Sequence, residues 1–419
     1  MTTNRAKDRA EIDLVVAGAG IVGMATALWA AKRGQRVLLC DPAPPGAGAS
    51  YGNACTLATY GCLPVNSPDI LASIPRLLAS PESPLSVNYL HALTHPRWLL
   101  SFLANCRPAR VEAIAATLAA ILSHADAGLN PLIEEAGAED LVVANDALYV
   151  WATRAGFAAA ADGNALRHRL GVPAEELGPA DVAALEPDLR LPVHRALRFT
   201  GARHLRDPQE LVRRMQRRFE ALGGRVLRHA VTRVRPLADG VEVTTGGETL
   251  RAARVAITAG AHATGIAGTG AERLPLDVER GYHLQYPGEA HRLSRPVGWA
   301  EAGFYAVPMA QGLRLAGTVE IAGTRRPPNR RRLRYLERKG AEMFGPLKGP
   351  AEEWLGFRPS FPDALPVIGP SPRSDRILLA FGHQHLGLTL GGITGRIVAD
   401  LSEGRAPNLD ITGFDAARF

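Results

Sequence analysis

Three small groups of residues in this chain have the types and spacing that chemistry needs. Cys55 and Cys62 stand seven positions apart in GASYGNACTLATYGC (Gly48–Cys62), and His383 and His385 alternate in GHQHLGLTLGG (Gly382–Gly392). Gly18-x-Gly20-x-x-Gly23 lies near the start, inside DLVVAGAGIVGMATALWAAKRGQRVLLCD. A transition-metal site needs three or four N, S or O ligands. Neither the cysteines nor the histidines have those companions in sequence, so no metal is expected. The thiols read as small, partly buried residues rather than as a redox pair. Alternate residues of an extended strand face opposite ways, so one histidine should face a site while the other packs or meets solvent.

The glycines are the most specific of the three groups. An apolar strand, Ile12–Ala17, precedes them, and a helical stretch to about Arg33 follows. Gly34 ends that helix, and a second strand, Arg36–Cys40, finishes at Asp41. Gly18 permits a tight turn, Gly20 lets the backbone approach a pyrophosphate, and Gly23 lets helix and strand pack closely. Ile21 and Val22 open the helix whose N-terminus would attract the phosphates. Asp41, eighteen residues after Gly23, is placed to accept hydrogen bonds from ribose hydroxyls. An acid rather than an arginine at that point argues for FAD or NAD over NADP.

The elements that position these groups come from the rest of the chain. Its 419 residues, 46% of them hydrophobic, suffice for two or three domain-sized cores. No apolar run reaches the ~18–20 residues of a spanning helix. The opening MTTNRAKDRAE has no apolar stretch, so no secretory leader is expected. Four cysteines in so long a chain point to a reducing cytoplasm. Much of the +7 charge falls in TRRPPNRRRLRYLERK (Thr324–Lys339). That reads as a solvated helix face, with no nucleic-acid motif beside it. Attraction to the inner face of a membrane or to an acidic electron partner stays open.

Further along, residues 68–135 read as proline-broken helices, including SPDILASIPRLLAS, and LVVANDALYVWA as short strands. Asp207-Pro208-Gln209-Glu210 supplies an N-cap, a proline at N1 and a glutamate at N3, a good start for a helix to about Leu222. Strands follow in GGRVLRHAVTRVRPL, GVEVTTGGETLRA and ARVAITAGA, and an antiparallel sheet over residues 275–320. The last helix is expected from Ile393 to about Ser402. The fold class is α/β, a Rossmann-like domain interleaved with an α+β domain on a mixed or antiparallel sheet. Residues 1–75, 200–265 and 355–419 would form the first, and 76–199 with 266–354 the second.

Read together, GAGIVG (Gly18–Gly23), SYGNA (Ser50–Ala54), DPQELV (Asp207–Val212), ITAGA (Ile257–Ala261), RGYHL (Arg280–Leu284), FYAVPM (Phe304–Met309), GFRPSFPDALPVIG (Gly356–Gly369) and GHQHLGLTLGG resemble the FAD-dependent D-amino-acid dehydrogenases. These belong to the wider D-amino-acid oxidase, glycine oxidase and sarcosine oxidase group, and the resemblance covers nearly the whole chain. It implies non-covalent FAD and oxidation of an amino or imino acid to an imine, with the α-hydrogen passing as hydride to flavin N5. Ser50, Asn53 and Ala54 match a loop near the pyrophosphate and ribityl chain, Gly260 a close approach to the nucleotide, and Val231 a backbone contact to adenine. Gly382 and Gly387-Leu388-Thr389 match the turn that faces the flavin, where a helix N-terminus would favour negative charge.

The resemblance also supplies the substrate residues. Arg358 would grip the carboxylate bidentately, Tyr305 would present a phenol, Tyr282 would line the pocket, and His383 would be the inward histidine. This chain has Asn53-Ala54-Cys55 where the family usually has Asn-Ala-Gly, which argues against a left-handed backbone at position 55. The branch resembled includes hydroxyproline-type dehydrogenases, so 4-hydroxy-D-proline is one candidate substrate. The electron acceptor would be a quinone, another protein or oxygen. An oxygen-using glycine- or sarcosine-type oxidase is the alternative on the same fold. An NAD dehydrogenase would have no use for GHQHLGLTLGG.

Overall fold

The strand Ile12–Ala17 is buried at its last four positions because parallel neighbours flank it, Val37–Cys40 on one side and Glu248–Ile257 on the other. A strand covered on both faces reads as an unbroken apolar run, as VVA does here. The computed structural model describes residues 12–68, 85–349 and 351–419; the expected helix over most of SPDILASIPRLLAS lies outside them. The first sheet has eight strands, running Arg225–Leu227, Val37–Cys40, Ile12–Ala17, Glu248–Ile257, Val241–Thr245, Val231–Pro236. Ser374–Phe381 adds to Glu248–Ile257 in parallel, carrying Val367–Ser371 with it.

Helices Ile21–Lys32, Ala125–Glu135, Pro208–Ala221 and Gly387–Ser402 share one core with this sheet. Asp207 caps the third of them, its carboxylate accepting from the Gln209 and Glu210 amides. The last helix starts at Gly387, six residues before the expected Ile393. Glycines in LTLGGITG read as a loop, since each costs about 1 kcal/mol in a helix interior. Packing overrides that cost. A Cβ at Gly391 would lie 2.9 Å from Ile21, at Gly392 2.5 Å from the backbone of Leu129, and at Gly395 2.6 Å from that of Ala25. Only glycines let three helices approach this closely.

The second sheet has nine strands, running Glu352–Ser360, Asp277–Tyr286, Gly312–Ile321, Phe304–Met309, Val297–Trp299, Ala147–Trp151, Arg195–Phe199, Ala174–Leu177, with Leu85–Val87 beside the third. Its register decides which side chains share a face. Glu279 pairs with Arg358, and His283 with both Trp354 and Ala316. Ala316 pairs with Tyr305, Tyr305 with Gly298, and Gly298 with Tyr149. Directly paired residues point the same way, so Arg358, Glu279, Tyr305 and Tyr149 look out from one surface. The opposite surface is covered by helix Arg330–Phe344 and its own apolar cluster. Among the described residues no helix is long and apolar enough to cross a membrane.

Candidate active site

The glycine turn is built as its sequence requires. Gly18 has φ +113°, and a Cβ on Gly23 would fall 1.8 Å from the Gly18 carbonyl oxygen and 2.6 Å from Thr258 Oγ1. Thr258 donates to the Ala17 and Gly18 carbonyls, at 3.0 and 2.9 Å, which locks the turn onto the neighbouring strand. The helix beginning at Ile21 has Gly20 at its N-cap, with no side-chain cap and no acid in its first turn. Ser50 Oγ accepts from the Ile21 amide at 2.9 Å, so the loop after Asp41 is tied to this helix start. Asp41 accepts from the Ala19 and Ala43 amides, both at 2.7 Å. Each carboxylate oxygen retains a lone pair for a further donor.

The loop carrying Ser50 is fastened from below. Arg314, 1% exposed, donates Nη1 to the carbonyls of Tyr51 and Asn53 at 2.8 and 3.1 Å, and Nε to Gln285 at 2.9 Å. His283 Nδ1 lies 3.1 Å from the Gly52 carbonyl and its ring stacks on Trp354. Asn53 bonds within the loop, donating to Ser50 O at 2.9 Å and accepting from the Cys55 amide at 2.7 Å. Ala54 stands half-buried between them. Cys55 does adopt the left-handed conformation, φ +58°, against expectation. The Asn53 and Arg314 contacts hold it there. Its buried thiol is pushed up to about pKa 11, chiefly by desolvation. All four cysteines are free and buried.

On the second sheet, Arg358 lies flat over Gly281. A Cβ on that glycine would sit 2.4 Å from Arg358 Nη2 and 2.5 Å from Cζ. Nη1 donates to the Thr318 carbonyl at 2.9 Å, at a residue with φ +58°. Burial lowers the pKa of Arg358 and the nearby Glu279 opposes the shift. Glu279 is held by Gln384 Nε2 at 2.7 Å, and Arg358 makes no ion pair within 4 Å among the described residues. The residue as a whole is only half-buried.

The two histidines do alternate in burial. His383 is buried, with Nε2 3.0 Å from Thr394 Oγ1 inside the last helix. His385 is exposed, and desolvation, with Arg358 adding to it, lowers its pKa to about 4. Tyr282 also departs from expectation. Its phenol donates to Glu320 at 2.5 Å and accepts from the Asn329 amide at 3.0 Å, on the sheet face opposite Arg358. The alternation of RGYH gives Gly281 and His283 to the site face and Tyr282 to the core. Tyr305 is on the site face, half-exposed, stacked against Tyr149 with centroids 5.8 Å apart.

Of the remaining residues, Gly382 has φ +87° and its α-carbon abuts the Phe361 ring. Gly387 opens the last helix, Leu388 is buried beside it, and Thr389 Oγ1 accepts from the Ala58 amide at 2.9 Å. Gly260, φ +54°, has open space where a Cβ would stand. Val231 is buried at the start of its strand, so only its backbone can meet a ligand. Glu279, Gln384 and Tyr149 are site residues that motif reading missed. Cross-strand pairing with Arg358 and Tyr305 is the signal that reveals Glu279 and Tyr149.

Comparison with known proteins decides what this arrangement is. A model of the FAD dependent oxidoreductases of the DAO family matches residues 13–401. The chain belongs to this family. It is 33% identical to a D-amino-acid oxidase of Bradyrhizobium diazoefficiens over 97% of this chain and 98% of the relative. It is 31% identical to a D-amino acid dehydrogenase of Paramagnetospirillum magneticum over 97% and 98%. Among solved structures, glycine oxidase from Geobacillus kaustophilus superposes with a TM-score of 0.74 at 22% identity, covering 97% of this chain and 99% of that one. The family is FAD dependent, and the residues of this DAO-type chain fit that cofactor. A glycine cradle that any Cβ would fill, a helix start with no acid in its first turn and a terminal acid lie together.

Proposed function

We propose that this oxidoreductase dehydrogenates the Cα–N bond of a D-amino acid or cyclic imino acid, with Arg358 gripping the substrate carboxylate. The observation that carries this reading is Arg358 itself: a guanidinium with no ion-pair partner among the described residues, on a half-buried residue and laid over a glycine. A planar fork of donors suits a carboxylate. Bound FAD supplies the two-electron acceptor for the C–H bond beside nitrogen. The chain orients that bond. Arg358 fixes one substituent of the α-carbon, Tyr305 and Tyr149 wall the side-chain end, and His385 stays neutral above about pH 4, leaving Arg358 as the cation beside it. Ser50, Asn53, Gly260, Val231 and the Gly387–Thr389 turn are proposed to hold the cofactor.

The names of the two similar relatives support the D-configuration. 4-Hydroxy-D-proline belongs in the candidate set, since phenols on the sheet face of Arg358 offer partners for its hydroxyl. A quinone or another protein is the acceptor in this reading, at the cytoplasmic face of a membrane; an oxygen-using amine oxidase is the second. Anaerobic mixing of the holoenzyme with D- and L-amino and imino acids tests the proposal. Bleaching of flavin absorbance by a D-amino or cyclic imino acid, lost in R358M, is expected; a panel that leaves the flavin oxidised refutes it. Peroxide formation in air selects the oxidase reading.

A further inference from the structure

Further along the sheet face that carries Arg358 and Tyr305 stand three phenols and a second guanidinium. Tyr149 and Tyr305 stack and are half-exposed. Tyr60 is stacked face to face on Phe199, centroids 4.0 Å apart and 3° from parallel. Its hydroxyl is buried and outside ideal hydrogen-bonding geometry; desolvation raises its pKa, and the Tyr305 and Thr56 hydroxyls are close enough to lower it. Arg167, from helix Ala161–Arg169, places its guanidinium 5.8 Å from the same Phe199 ring. Nη1 donates to Asn164 at 2.9 Å, while Nε is buried without a partner. Arg167 makes no ion pair among the described residues. Its charge favours the ionised forms of Tyr60, Tyr149 and Tyr305, against the desolvation that disfavours them.

The one carboxylate felt by Tyr149, Glu301, is committed elsewhere. It accepts from the Ala152 and Thr153 amides, Thr153 Oγ1 and Trp299 Nε1, at 3.0 to 3.2 Å. Among the described residues no carboxylate pairs with Arg167, and the hydroxyls around it can both donate and accept. Buried donors left unmatched are costly, and orphan polar atoms in a native fold call for an explanation. Arg358 leans one strand inward over Gly281, and Tyr305 stands two strands further along the sheet. Two ladder spacings leave roughly 10 Å between the carboxylate grip and the phenols, enough for a substrate carrying a group at each end.

We propose that Arg167, with the hydroxyls of Tyr60, Tyr149 and Tyr305, receives a side-chain carboxylate, so that the substrate is a dicarboxylic amino or imino acid. The inference rests on the Arg358 reading and narrows it. The test compares the holoenzyme's anaerobic flavin reduction and kcat/KM for D-aspartate and D-glutamate with D-asparagine, D-glutamine, D-alanine and 4-hydroxy-D-proline. A charge-assisted contact of this kind should favour the acids over their amides by at least about tenfold. R167M should lower the D-glutamate to D-alanine ratio of kcat/KM by a similar factor, and R167K should restore part of it. Equal use of acids and amides by the unmodified enzyme, or an R167M effect common to all substrates, overturns this inference and leaves Arg358 in its role. Reduction by none of the panel overturns the reading beneath it.

Discussion

Replacing Gly281 by Ala places one methyl group under the guanidinium of Arg358. The added carbon would stand 2.4 Å from Nη2, 2.5 Å from Cζ and 3.0 Å from Nε. Ordinary contact is ~3.5–4.0 Å, so the guanidinium must retreat by about 1 Å. The atoms in the way are the far end of a flexible side chain, so the backbone need not move. Nη1 would leave the Thr318 carbonyl, now 2.9 Å away, and the fork would no longer meet a carboxylate squarely. A hydrogen bond to a charged group contributes about 1.5–3 kcal/mol. At about 1.4 kcal/mol per decade, kcat/KM should fall roughly ten- to a hundredfold. Stability should change little, because Ala is favoured over Gly in a strand by about 0.5–1 kcal/mol. The assay is steady-state kcat/KM of flavin-loaded G281A for an active amino acid and for its amide, alongside a urea midpoint. A folded, flavin-loaded G281A with unaltered kcat/KM refutes the reasoning, as does an equal loss with the amide.

Gly23→Ala should abolish flavin retention, since its Cβ would fall 1.8 Å from the Gly18 carbonyl and backbone cannot yield as a side chain can; fluorescence of the eluted flavin reports it. Tyr282→Phe should cost about 1–3 kcal/mol by urea unfolding, from the broken bond to buried Glu320, while kcat/KM stays within about threefold because the phenol faces away from Arg358. His283 and His383 have pKa values lowered to about 3, and His204 and His385 to about 4, chiefly by burial. The unfolded chain takes up these protons first, near the ordinary histidine pKa of about 6.5. Their contribution is therefore full above that pH and lost as pH falls toward 4. The holoenzyme's urea midpoint should drop across that window, less steeply in H383Q; a flat midpoint from pH 6.5 to 4.5 contradicts the assignment.

Local order made part of this protein legible from its residues alone. Gly18, Gly20, Gly23 and Asp41 announce a dinucleotide turn because each residue's conformational freedom or charge acts within one βαβ unit, and Asp207 announces a helix because a cap acts within one turn. The family was recoverable for the same reason: short motifs in fixed order survive as strings. Cys55 shows where such reasoning stops. Its φ of +58° is imposed by Asn53 beside it and Arg314 from a distant strand, and only the second of these is invisible in the local sequence. The last helix runs six residues further than its glycines suggest because two other helices press against them. Tyr282 turned to the core and Gly281 to the face of Arg358 by the parity of a strand whose pairing partners lie tens of residues away. Side-chain type determined what chemistry the chain can offer; strand register, which depends on non-local contacts, decided which side chains share the face of Arg358.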